Sequence, residues 1–349
     1  MRIAHINLER GWRGGERQTL YLMEGLRALG HDCHLIARNN EVFTTQVLRR
    51  GFSVQVISKP YLIRGGMLSR FDIVHVHETR GLQVAAFWKP VHKRPVVATR
   101  RVDNIPSGDI LTRLMYGQVN HLVTVSNMIR YHMGNWGVRD EKITVIHDAV
   151  DCGTKPSEQM VTKLRERFRS KKVIGCVASL EKRKDHHTLL NAASIVQGKR
   201  DDIVFLLIGD GDLRPELERE ASRLGLNNVV FEGYQDDPYS YYRVFDLFVM
   251  TSKQEGLGSS ILDAFFYQVP VVVTAVGGMP EIVRDGITGL LAAPGNPEMI
   301  AQAILRMLED ATLRSQCIKN ARTLLMEKFT IEHMSQSYEL VYRGVLSHR

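Results

Sequence analysis

The chain has 349 residues at an ordinary hydrophobic content of 44%, more than one core usually organises, so two globular domains are expected. Lysine and arginine (46) outnumber aspartate and glutamate (38), giving a formal charge of +8 and favouring an anionic partner such as nucleotide phosphates, anionic lipid or nucleic acid, without choosing among them. No apolar run approaches the roughly 20 residues of a membrane span, and MRIAHINLERGW meets acid and base too early for a signal peptide, so a cytoplasmic protein is expected.

Short β-branched runs alternate with longer amphipathic stretches from the N-terminus onward. RIAHINL reads as a strand, ERQTLYLMEGLRALG as a helix stopped at Gly30, and CHLIA, FDIVHVH, PVVAT and HLVTVS as further strands. Such alternation predicts βαβ units around a parallel sheet. The rhythm pauses between HDAVDCGTKPSEQ and KVIGCVAS, then resumes with IVFLLIG, VVFEG, DLFVM, PVVVT and GLLAA. The fold class expected is α/β, with two doubly wound, Rossmann-like domains facing a cleft. The expected boundaries are 1–155 for the first domain, 156–172 for a linker and 173–328 for the second domain. Residues 329–349 (Ile331, Met334, Tyr338, Leu340, Val341 and Val345 at helical spacing) should form a helix that packs back on the first domain. Within the linker, KLRERFRSKK reads as a solvated amphipathic helix face. The cysteines at 33, 152, 176 and 317 are too scattered for metal pairs or disulfides and are expected to pack as small hydrophobes. Nothing resembles an RNA-binding aromatic motif or a zinc finger, so no nucleic-acid partner is expected.

Ligands of open parallel sheets bind beyond the carboxyl ends of the strands, and five loops there carry informative residues. In LERGWRGGERQ, Gly14 and Gly15 precede a helix expected to begin near Glu16. Free N–H groups at such a start attract anions, although a plain tight turn would use the same glycines. The spacing is neither G-x-G-x-x-G nor Walker A, and IGDGDLR lacks a third glycine, which argues against a dinucleotide dehydrogenase. In FDIVHVHE, His75 and His77 share one side of a strand by period two. A polar contact in the crevice competes there with core packing, and no Cys or His stands at ligand spacing for a metal. In TRRVDN, Arg100 and Arg101 leave a strand end, where a substrate contact and a surface salt bridge are both open.

The fourth loop, SLEKRKDHHTLL, places Lys182, Arg183 and Lys184 just before a helix, an arrangement that opposes the helix dipole unless an anion is expected. The fifth is QEGLGSSILD. Gly256 and Gly258 let the backbone turn its N–H groups inward, and Ser259 or Ser260 can cap the helix that follows, making an anion cradle. Glu255 and Asp263 would repel a phosphate unless they face sugar hydroxyls, whose hydrogen bonds carboxylates accept well. Ser260 to Asp263 also fits a capping box, in which Asp263 would only bond back to its own helix start.

With these residues in place, the second half resembles the nucleotide-sugar domain of the family-four retaining glycosyltransferases of the GT-B fold. The likeness runs almost continuously from VIGCVASLEKRKDHHTLL through FDLFVMTSKQEGLGSSILDAFFYQVPVVVTAVGGMPEIVRDGITGLL. The first half agrees more loosely, in the Gly-Gly-Glu helix start, FDIVHVH, VTVS and VIHDAVD.

That resemblance implies roles for residues of this sequence. Glu255 would bind a donor-sugar hydroxyl and Asp263 the ribose, with the amides of Gly256, Leu257, Gly258 and Ser259 near sugar and phosphates. Arg183 and Lys184 would hold the diphosphate, Gly15 would approach it from the opposite domain, and His77 would contact the sugar near the reacting carbon. Tyr234, in VVFEGYQ, would lie beside the base. Three positions depart from the family pattern: Asp263 stands for the usual glutamate, Ser179 for arginine, and Asp148-Ala149 for Asn-Gly.

The resemblance implies same-face displacement with retention of anomeric configuration, since no second carboxylate stands as an obvious nucleophile. No cofactor or metal is expected, the cations of the fourth loop taking the metal's part. The donor implied is a nucleotide-diphosphate sugar, most commonly a UDP-sugar, supplying a hexose-type unit. The acceptor would be a glycan or a lipid-linked, lipopolysaccharide-type hydroxyl. TRRVDNIPSGDILTRLMYG and NMIRYHMGNWGVR mix cations with apolar and aromatic residues and suit an anionic cytoplasmic membrane face; Arg100 and Arg101 are the acceptor-side candidates. A sugar-nucleotide epimerase, a phosphorylase-like enzyme and a non-catalytic nucleotide-sugar-binding protein are the alternatives.

Overall fold

The computed structural model describes residues 1–39, 42–153 and 155–347, with backbone alone at 63–65; Thr154, inside the expected first domain, and His348 and Arg349, at the end of the expected terminal helix, lie outside the described residues. The chain divides into two compact units, Met1–Ala149 with Lys328–Arg349, and Val150–Glu327.

In the first unit seven parallel strands form one sheet in the order β3-β2-β1-β4-β5-β6-β7. They are β1 Arg2–Ile6, β2 Asp32–Arg38, β3 Ser53–Ile57, β4 Ile73–Val76, β5 Val96–Arg100, β6 His121–Thr124 and β7 Ile143–Val145. The short apolar strands are nearly all buried along β4, β5 and β6, as a sheet covered on both faces requires. The Gly14–Ala28 helix buries Leu22, Met23 and Leu26 in one core with Met334, Tyr338 and Tyr342 of the Ile331–Ser347 helix. The C-terminal segment therefore completes the first unit's core, as its helical spacing suggests.

The second unit repeats the topology with six parallel strands in the order β10-β9-β8-β11-β12-β13. These are β8 Lys172–Val177, β9 Ile203–Ile208, β10 Val229–Gly233, β11 Leu247–Met250, β12 Val271–Thr274 and β13 Leu290–Ala292. Its core joins Phe205, Leu207 and Val249 of the sheet to Leu189 and Val196 of the His186–Gln197 helix and to Ile300 and Ile304 of the Pro297–Glu309 helix. In each sheet the strand order reverses once, between β1 and β4 and between β8 and β11, so each has a crevice at its carboxyl edge where a ligand fits.

The amphipathic helix read at KLRERFRSKK is present but lies earlier: within 156–172 it runs Glu158–Arg167, capped by Ser157 accepting from the Met160 amide, and β8 begins at Lys172. Val161 and Leu164 are buried and the neighbouring arginines exposed, so three- and four-residue spacing, hidden among the charges, gives this helix a core-facing stripe. Among the cysteines, Cys33, Cys176 and Cys317 are buried as small hydrophobes, whereas Cys152 is exposed.

Candidate active site

In the second unit the loops after β8 and β11 are laced together at the switch point. The amide of Lys253 donates to the carbonyl of Arg183 at 2.8 Å, and Thr251 Oγ1 donates to the carbonyl of Asp185 at 3.0 Å. Lys182–Lys184 form one short 3-10 turn before the His186–Gln197 helix. This brings Lys184 Nζ onto Glu255 Oε2 in a direct ion pair, while Arg183 Nη1 lies 3.8 Å from Glu255 Oε1. Lys184 and Glu255 are both largely buried, with side chains 10% and 11% exposed. Arg183 is 42% exposed and also donates to Glu181 at 3.1 Å. The cations are thus partly answered from within: Lys184 by Glu255, and the helix dipole by Asp185 at the N-cap, which Lys253 meets at 3.0 Å. What the loop leaves exposed is Lys182 and Arg183.

Glu255 is fixed from its other side by backbone. Gly277 has φ +56°, and a Cβ there would stand 1.7 Å from the Glu255 carbonyl oxygen. Only glycine permits both that conformation and that approach, so the glycine pair after β12 is part of the machinery that holds Glu255.

The helix after QEGLGSS runs Ser259–Phe266, and its N-cap is Gly258 at φ +89° with no side-chain cap. This corrects two expectations. Neither Ser259 nor Ser260 is the cap, because the glycine's left-handed conformation turns the chain directly into the helix and leaves the serines inside it. Asp263 then sits at the fifth helical position, past the third position that a capping box uses. It is buried at 5% exposure, in a run from Ile261 to Phe265 that is buried all round the helix. Gly256, Leu257 and Gly258 are buried beside it, and Tyr234 stands 53% exposed just past the carboxyl end of β10. Arg183, Lys184, Tyr234, Glu255 and the 259–266 helix start all follow strand ends of one parallel sheet.

In the first unit the Gly14–Ala28 helix begins two residues earlier than expected, with Arg13 as N-cap and Glu16 accepting from the Arg13 amide at 2.9 Å. Gly15 lies within the first turn, has no left-handed φ, and a Cβ there would meet nothing within 4 Å. No turn or packing requirement inside the chain calls for this glycine. Replacing it with alanine is expected to leave the melting temperature unchanged or slightly raised. If an anion seats against the helix start, the same methyl costs about 1–3 kcal/mol of ligand binding. Paired melting curves and donor KM values check both halves of this expectation.

His77 follows β4 and is buried with His75 and, unexpectedly, His5 of β1, which pairs in register with His75. One ring nitrogen from each of the three lies within 4.8 Å of the others. This corrects the expectation that no third ligand stands near His75 and His77: the parallel pairing of β1 with β4 supplies it. The trio is nevertheless poorly suited to a cation. His75 uses one nitrogen with Thr99 Oγ1 and the other with Tyr342 Oη, both at 2.7 Å. His77 Nε2 lies 3.1 Å from His5 Nδ1, and its Nδ1 lies 3.2 Å from the Arg101 guanidinium. A ring-nitrogen contact from His77 to a donor sugar would need one of these bonds exchanged.

Burial, seconded by the Arg101 charge, pushes the His5 imidazole down to about 3, and burial holds His75 and His77 well below the ordinary histidine value. In the unfolded chain all three would take protons below about pH 6.5. Unfolding therefore binds protons as pH falls, and stability drops from about pH 6.5 downward at ~1.4 kcal/mol per pH unit per histidine. Denaturant titrations at pH 7 and pH 5 check the slope.

The acceptor-side arginines are not surface groups. Arg100 is buried and donates to Tyr116 Oη at 3.0 Å and Asn104 Oδ1 at 2.9 Å. Arg101 pairs with Asp148 at 3.0 Å, with the two side chains 10% and 9% exposed. Arg100 is held by Asn104 of the same loop and by Tyr116 of the helix that follows, whereas Arg101 is drawn to Asp148, a partner that nothing in TRRVDN announces. Exposed apolar residues crowd the following stretch instead: Val102, Ile105, Ile110, Leu111 and Leu114 are each more than half exposed, as is Tyr131.

Two family patterns match the chain in succession. Glycosyltransferase Family 4 matches residues 12–154, and Glycosyl transferases group 1 matches residues 162–324. The first half of the chain thus carries the Family 4 pattern and the second half the group 1 pattern of glycosyltransferases. The enzyme is 33% identical over 167 residues to the lipopolysaccharide core biosynthesis glycosyltransferase LpsE of Rhizobium meliloti, a match spanning 48% of each chain, about half that relative's length. It is 24% identical over 363 residues to the glycosyltransferase MJ1607 of Methanocaldococcus jannaschii, across 92% of both. Among solved structures, Anabaena HepE in complex with UDP and glucose superposes with a TM-score of 0.89 at 22% identity, covering 99% of the enzyme and 100% of HepE. That likeness establishes the fold, two Rossmann-like halves of GT-B type. No described helix is long and apolar enough to cross a membrane.

Proposed function

We propose that the enzyme transfers a hexose-type sugar from a UDP-sugar to a hydroxyl of a glycan or lipopolysaccharide-type acceptor, with retention of anomeric configuration and without metal. The observation that carries this reading is the convergence of Arg183, Lys184, the Gly258-initiated helix start and two buried carboxylates, Glu255 and Asp263, at the switch point of one sheet. Cations and helix N–H groups fit a diphosphate. Carboxylates in the same place fit hydroxyls, Asp263 taking the ribose and Glu255 the donor sugar, with Tyr234 beside the base. The UDP bound by HepE and the lipopolysaccharide role of LpsE make these the donor and acceptor classes to test first.

The chemistry follows from charge. As the bond from the anomeric carbon to the diphosphate oxygen lengthens, positive charge grows on the sugar and negative charge on the leaving group. Preorganised donors aimed at that oxygen stabilise the separation by several kcal/mol. The acceptor oxygen bonds to the anomeric carbon on the face the phosphate leaves, and its proton passes to a phosphate oxygen. Glu255, released from Lys184 by the incoming diphosphate, would accept a hydrogen bond from the sugar.

Incubation with UDP-sugars and an envelope-glycan extract should release UDP in step with glycoside. The rate should survive chelator, and the product anomer should match the donor's. Product without diphosphate release would instead indicate epimerisation, and no turnover with any sugar nucleotide a binding protein. The exposed apolar stretch from Val102 to Leu114, on a chain of charge +8, suits an acceptor presented at an anionic membrane surface. Co-sedimentation with anionic but not zwitterionic vesicles is expected, and equal behaviour with both would remove the membrane from this account.

A further inference from the structure

Arg101 is buried beside His77, in a place where a merely structural arginine would be costly. Its Nε donates to Asp148 Oδ1 at 3.0 Å, its Nη1 lies 3.2 Å from His77 Nδ1, and its Nη2 is buried without a partner among the described residues. Guanidinium has only donors. His77 Nδ1 must therefore be the acceptor in that contact and carries no proton.

The consequence propagates. A neutral imidazole with a bare Nδ1 is protonated at Nε2, and the His77 Nε2–H points at His5 Nδ1, 3.1 Å away. His5 Nδ1 is then also an acceptor, and the His5 proton is on Nε2. That nitrogen is buried and has no hydrogen-bond partner among the described residues, the unsatisfied end of a chain whose every link points away from Arg101. Buried N–H groups are rarely left so unless a water or another group is held there.

We propose that Arg101, oriented by Asp148, is a positioning residue for sugar transfer: it fixes His77 as the neutral imidazole protonated at Nε2 and locks that ring against His5. The proposal rests on the reading that His77 meets the donor sugar. Its role is to hold the ring in one tautomer and one orientation at the carboxyl end of β4, so that His77 presents the same surface to every donor molecule. The neighbouring His75, tied to Tyr342 and Thr99, packs its ring 4.0 Å from that of His77 and leaves it no room to swing toward the core.

The tautomers can be read directly by long-range 1H–15N NMR of the full chain with labelled histidine. The expected spectrum shows His77 and His5 neutral, bare at Nδ1 and protonated at Nε2. A proton on His77 Nδ1, or an imidazolium, would overturn the proposal whatever the activity. So would stoichiometric zinc binding that shifts all three histidines, because a metal cannot share His77 Nε2 with a proton. In Arg101→Met, His77 should show the Nδ1–H form, and kcat for transfer should fall ten- to a hundredfold, the usual range for lost supporting hydrogen bonds, with a smaller change in KM. Arg101→Lys should restore the Nε2–H form and part of kcat. Should Arg101→Met not fold, Arg101→Met/Asp148→Leu removes both buried charges together and is read the same way. A changed tautomer with unchanged kcat would sink the positioning role. Absence of sugar transfer in the wild type, with the tautomers as expected, would instead refute the transferase reading beneath it.

Discussion

The Arg183→Ala/Lys184→Ala variant is expected to lose about 2–4 kcal/mol of transition-state stabilisation, roughly a thirty- to thousandfold fall in kcat. The site's geometry makes the two substitutions unequal. Lys184 is buried against Glu255, and its removal leaves a carboxylate without its nearest cation, so the double variant should also melt lower. Arg183 is 42% exposed and pairs at the rim. Arg183→Ala alone should keep the fold within about 0.5 kcal/mol and still lose much of the rate. Steady-state kinetics beside denaturant titrations separate the two contributions. Near-wild-type turnover in a folded double variant would reduce the basic turn to a solvated surface.

Gly277→Ala is expected to be among the most damaging single substitutions in the second unit. Its Cβ would stand 1.7 Å from the Glu255 carbonyl in a backbone at φ +56°. A left-handed alanine costs about 1–2 kcal/mol, and displacing the backbone it strikes adds about 1–3, for a total near 2–5 kcal/mol. The segment that must yield is the loop carrying Glu255, so the folded fraction should also transfer sugar poorly. Equilibrium unfolding checks the first effect and specific activity the second. A loss under about 1 kcal/mol would show that the 254–258 loop gives way easily and that Glu255 is not rigidly held.

Much of this architecture can be read from local pattern. The alternating apolar runs identify both parallel sheets, and the parallel-sheet rule then places SLEKRKD and QEGLGSS at one edge before any contact is known. Helix starts are harder. Gly258 caps its helix through backbone conformation alone, and the two serines after it carry the stronger cap signal, so the capping-box reading of Asp263 fails. Long-range partners are hardest. His5 joins His75 and His77 only because β1 pairs with β4, and Arg101 finds Asp148 across 47 positions of chain. The strand order of a doubly wound sheet would have predicted the first meeting, since RIAHINL and FDIVHVH occupy neighbouring strands with a histidine near each carboxyl end. Nothing in TRRVDN or VIHDAVD announces the second.

Calorimetric titration of UDP into wild type, Asp263→Ala and Glu255→Gln, with melting curves alongside, tests the central claim most directly. The account assigns the buried Asp263 to the ribose and Glu255 to the donor sugar. Wild type should bind, and Asp263→Ala should lose about 1.5–3 kcal/mol, roughly ten- to a hundredfold in affinity. Glu255→Gln should bind UDP as wild type does while transferring sugar poorly. No UDP binding by a folded wild type, or equal affinity in all three with only the Asp263→Ala melting point lowered, would contradict it.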